Sequence, residues 1–102
     1  MPLHKMDSLR RIAFDVQGRV QGVGFRRFVE RKALSIGDMS GWVLNAKNGA
    51  VKGEAQGAAH NLERLIEALN SGPFLSRVDK VDYKFIDVIS SETGFVIRPG
   101  RW

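Results

Sequence analysis

Residues 11–17 (RIAFDVQ), 18–24 (GRVQGVG) and 25–34 (FRRFVERKAL) are one continuous stretch in which the hydrophobic period changes. In the first part Ile12, Phe14 and Val16 fall on one face, with Arg11, Ala13, Asp15 and Gln17 on the other. Period two is the mark of a half-buried strand with a polar outer face. In the last part Phe25, Phe28, Val29 and Ala33 follow helical spacing, so the chain continues as an amphipathic helix. Between them lie Gly18, Gly22 and Gly24. The order is therefore strand, glycine-rich loop, helix.

Working outward, Gly37-Asp38 ends the helix. Residues 39–46 read as a second strand and 50–56 as a third, joined through Lys47, Asn48 and Gly49. An Asn-Gly pair accepts the positive φ that a tight hairpin requires. Leu62, Leu65, Ile66 and Leu69 then give a second helix, stopped at residues 70–73 (NSGP). Residues 78–88 form the longest strand candidate, with Val81, Tyr83 and Phe85 on one face, and residues 95–98 (FVIR) close the chain as a short strand. The order βαββαβ predicts an α+β fold, a ferredoxin-like α/β sandwich whose antiparallel sheet carries both helices on one face. Residues 1–8 show no periodicity and read as a flexible tail, leaving 9–102 as a single domain.

Composition narrows the class. Of 102 residues 43% are hydrophobic and 26% charged, enough apolar surface to exclude bulk disorder. No cysteine is present, which excludes disulfide frameworks and thiolate metal sites, and His4 and His60 lie far apart in sequence. No metal site is expected. No apolar stretch reaches the roughly 18 residues of a membrane span, and residues 1–11 lack the apolar segment of a signal peptide. A soluble, monomeric, cytoplasmic protein with no membrane partner is expected. The net charge of +5 points to an anionic partner without naming it.

Two stretches carry chemistry. A strand that enters a helix through three glycines leaves backbone N–H groups unpaired at the positive end of the helix dipole, where an anion can be cradled. Arg26 stands in the first helical turn, where the dipole disfavours a cation, and its guanidinium can hold two oxygens of one phosphate. Neither the Walker A pattern nor a dinucleotide fingerprint fits this spacing. The alternative is a loop that only turns the chain, with Arg26 and Arg27 solvated. In residues 41–45 (GWVLN), Asn45 ends the second strand on the same side as Val43. It either caps its own hairpin turn or positions a water or ligand. Phe14, Phe25, Phe28, Trp42, Tyr83, Phe85 and Phe95 sit at core-compatible positions, and Trp102 carries no signal.

Residues 18–26 (GRVQGVGFR), 41–45 (GWVLN) and 48–51 (NGAV) closely resemble the signature of the acylphosphatase family, with supporting matches at Gly72-Pro73, Val78, Val81 and residues 95–98. The resemblance spans about residues 12–98. It implies a metal- and cofactor-independent hydrolase that cleaves small acyl phosphates to a carboxylate and inorganic phosphate. It further implies catalytic roles for Arg26, which follows Val-Gly-Phe, and for Asn45. The phosphate cradle falls on Gln21, Gly22, Val23, Gly24, Phe25 and Arg26, while Arg27 occupies a position the family does not require. The segment from Leu34 to Trp42 is about one residue longer than the family's usual connection.

Two other readings exist. An RNA-binding module shares this architecture, and residues 22–25 (GVGF) echo an aromatic RNA-binding element. That element belongs on a central strand, whereas here it opens a helix, which speaks against nucleic acid as a partner. A regulatory or carbamoyl-phosphate-handling domain would need catalytic modules for which 102 residues leave no room.

Overall fold

The computed structural model describes residues 8–99. The expected tail lies, except for Ser8, outside the described residues, as do His4 and Trp102. The elements run β1 (Leu9–Arg19), α1 (Phe25–Ile36), β2 (Ser40–Asn45), β3 (Val51–Ala58), α2 (Ala59–Ser71), β4 (Arg77–Ile86) and β5 (Phe95–Ile97). They form a five-stranded sheet in the order β4-β1-β3-β2-β5. This is the expected ferredoxin-like α+β sandwich. The sheet is antiparallel except at one edge, where the short β5 pairs parallel to β2, with Val43 opposite Ile97. Parallel pairing there follows because the chain crosses the sheet from β4 before reaching that edge.

Period two in β1 translates directly into packing. Ile12, Phe14 and Val16 are buried and meet Phe25, Val29 and Ala33 of α1 and Leu62, Leu65 and Leu69 of α2 in one core. Each such aliphatic or aromatic side chain stabilises the fold by about 1.5–3 kcal/mol relative to exposure. The long segment before Trp42 is accommodated at the end of α1. There Gly37 donates its N–H to the Ala33 carbonyl at 3.0 Å, and Asp38 adopts a left-handed φ of 54°. Downstream the register of β2 on β3 runs without a break from Ser40 to Asn45.

The outer face of the sheet departs from the pattern in the sequence. Arg11, grouped with the polar outward residues, is only 1% exposed. The segment between β4 and β5 folds back over it. Glu92 accepts two hydrogen bonds from the Arg11 guanidinium at 2.7 and 3.2 Å, Glu54 accepts one at 2.9 Å, and Gln56 another at 3.2 Å. Gln56 in turn exchanges hydrogen bonds with the backbone of Ile89, both at 2.8 Å. The hydrogen bond from Arg11 holds the Glu92 carboxyl below the ordinary glutamate range against the opposing effect of burial, with Ser40 assisting.

Two aromatics expected in the core are outside it. Tyr83 and Phe85 are 47% and 55% exposed, although their pairing with Phe14 and Ile12 puts them on the helix-facing side. Strand β4 is an edge, and at these positions neither helix covers it. The two rings instead pack edge-to-face, with the Arg10 guanidinium 4.1 Å above Phe85. Trp42 is half-buried on the outer face, under the Arg98 guanidinium at 4.4 Å.

Candidate active site

The glycine-rich loop leaves β1 through an irregularity between Gln17 and Gly18 and enters α1 at Gly24. Gly22 and Gly24 have φ of 75° and 79°, a left-handed backbone that side-chain-bearing residues rarely adopt. Gly24 is the N-cap, and having no side chain it leaves the helix uncapped. The first α1 hydrogen bond runs from the Phe28 N–H to the Gly24 carbonyl at 3.0 Å. Residues 21–24 form a turn that leads into the helix, and no side chain caps the N–H groups at its start. An α-helix always leaves its first N–H groups unpaired. Here those groups lie beside the glycine-rich turn, at the positive end of the dipole.

A cavity of about 360 Å³ opens at this point, lined by Val20, Gly22, Gly24, Phe25, Arg26, Arg27, Asn45 and Ile97. The structure thus brings together Gly22, Gly24, Phe25, Arg26 and Asn45 of the expected set. Arg26 is half-buried, and neither its guanidinium nor the Asn45 carboxamide has a protein partner among the described residues. The hairpin is capped by another residue, since Asn48 accepts the Ala50 N–H at 3.0 Å. Capping by Asn45 is therefore not its job. Among the described residues, no Asp, Glu or His lines the cavity.

Gln21 and Val23 do not line it. Val23 turns toward the core. The Gln21 carboxamide donates to the carbonyls of Ala46 and Ala50 at 2.7 and 3.0 Å, strapping the loop to the hairpin that follows Asn45. This strap ties the loop that precedes Arg26 to the hairpin that follows Asn45, a contact that the sequence motif did not signal. Arg27 and Ile97 were also missed as wall residues. The side chain of Ile97 arrives through the parallel pairing of β5 with β2, which no local pattern announces.

A larger depression of about 400 Å³ lies on the opposite, outer face of the sheet, lined by residues that include Asp15, Trp42, Lys52, Glu54, Asp82 and Lys84. Its charges are of both signs. Among the described residues no group of three or more His, Asp or Glu side chains is arranged to hold a metal ion, and no helix is long and apolar enough to cross a membrane.

The family model described as Acylphosphatase matches residues 12–97. An acylphosphatase of Salinibacter ruber is 44% identical over 89 residues, which cover 87% of this chain and 93% of that one. Among solved structures, an acylphosphatase from Bacillus subtilis has a TM-score of 0.83 at 33% identity, covering 89% of this chain and 99% of that one. One from Coxiella burnetii has a TM-score of 0.82 at 34% identity, covering 88% and 93%. With agreement in sequence and fold over nearly the whole of both partners, the chain belongs to the acylphosphatase family of enzymes.

Proposed function

We propose that the chain hydrolyses acyl phosphates to a carboxylate and inorganic phosphate, using the loop N–H groups and Arg26 to hold the phosphoryl group and Asn45 to orient water. One observation carries this reading. An uncapped helix start, an unpartnered guanidinium and an unpartnered carboxamide meet at one cavity. Such groups are costly to hold together without an anion and water to satisfy them.

In the proposed step a water oxygen attacks phosphorus, the bond from phosphorus to the acyl oxygen breaks, and the carboxylate leaves with the bond's electrons. The water proton passes to a phosphate oxygen of the substrate. A stable carboxylate leaving group makes strong general-base help unnecessary, which suits a cavity without Asp, Glu or His. Catalysis then rests on positioning and on neutralising charge at the equatorial oxygens. The enzyme is proposed to act as a soluble cytoplasmic monomer.

Asn45→Ala separates binding from turnover. Its kcat for benzoyl phosphate should fall about a hundredfold while inhibition by inorganic phosphate stays within about twofold. If phosphate affinity falls in step with kcat, Asn45 is a phosphate ligand and does not orient water.

A further inference from the structure

We infer that Arg27 selects acyl phosphates whose acyl group carries a second anion, with a distal carboxylate as the simplest case. This rests on the function proposed above and goes beyond it. Arg27 lines the same cavity as Arg26 but is exposed where Arg26 is half-buried. Successive helical residues point about 100° apart and do not face each other. The two guanidiniums therefore address different places, Arg26 the floor beside the loop N–H groups and Arg27 the rim.

Among the described residues, no acidic group pairs with Arg27. It has no ion pair or hydrogen bond among the described residues, the first turn of α1 holds no acidic residue, and no acid lines the cavity. A cation in that turn also opposes the helix dipole. One phosphoryl group is already provided for by the N–H groups and by a bidentate arginine. The cavity is several times larger than a phosphoryl group, and Ile97 and Val20 supply an apolar wall along which an acyl chain can lie toward the rim. A chain ending there in an anion would meet Arg27.

The test compares succinyl phosphate with butyryl phosphate, which match in length and differ by the distal carboxylate. For the wild type, kcat/KM should favour succinyl phosphate. Arg27→Ala should lower the ratio of the two values about fivefold, the size expected of a partly solvated ion pair, and Arg27→Lys should restore most of it. Arg27→Glu should lower the ratio further. An unchanged ratio in Arg27→Ala, or an equal loss on both substrates, would overturn the inference while leaving the hydrolase reading intact. A wild type that turns over neither substrate would overturn both.

Discussion

Replacing Arg26 with alanine should lower kcat/KM for benzoyl phosphate about a thousandfold, equivalent to about 4 kcal/mol of transition-state stabilisation. The size follows from what the side chain does in the proposed step. It is the half-buried guanidinium in a cavity without acids, and no protein group holds it elsewhere. When the bond to the acyl oxygen breaks, negative charge spreads over phosphoryl oxygens that two parallel N–H donors can bridge. Inorganic phosphate should lose its affinity as well, because Arg26 serves the ground state too. Arg26→Lys should recover only a minor part, since an ammonium is a point charge without the planar fork. The fold should be little affected, with a stability change within about 0.5 kcal/mol, because no intramolecular contact of the charged group is lost. Activity close to wild type in Arg26→Ala would remove the arginine from the mechanism.

The second large effect concerns stability. Arg11→Met should destabilise the domain by about 3 kcal/mol, lowering the thermal midpoint by roughly 10–20 °C. Arg11 is fully buried and bridges Glu54 on β3 to Glu92 in the segment between β4 and β5, at 2.8 and 2.7 Å. Removing it leaves two part-buried carboxylates without their counter-charge. A midpoint within a few degrees of wild type would show that the network is solvated.

The same network sets the acid response. The Glu92 carboxyl is held low in the folded state, first by the hydrogen bond from Arg11. A group whose pKa is depressed on folding contributes stability above its unfolded value, about 4.3 for glutamate, and loses it as pH falls through the folded value. Wild-type stability should therefore decline with acid below about pH 4.5, and Glu92→Gln should flatten that part of the curve. Equal acid slopes in both proteins would contradict the assignment.

The parts of this molecule that were legible in sequence are those with local causes. The alternation of Ile12, Phe14 and Val16, the helical spacing from Phe25 to Ala33 and the glycines between them gave the strand, loop and helix that build the site. Arg11 lies on the outer face as its alternation predicts, and only its burial was illegible, because its cover comes from Glu92, 81 residues later in the chain. Tyr83 and Phe85 have a core-like pattern, and only the edge position of β4 leaves them exposed. Within the site, Arg26 and Asn45 were marked by their motifs. Gln21 was assigned to the cradle by position, whereas its side chain ties the loop to the hairpin. Arg27 and Ile97 reach the cavity through geometry that depends on helix entry and on strand β5.

Hydrolysis of benzoyl phosphate by the wild-type protein in the presence of EDTA, followed by absorbance, tests the central claim most directly. Rapid turnover that EDTA does not diminish is the expected result, since in the proposed mechanism the loop N–H groups and Arg26 supply the positive charge. A folded protein that binds phosphate but releases no benzoate would contradict it.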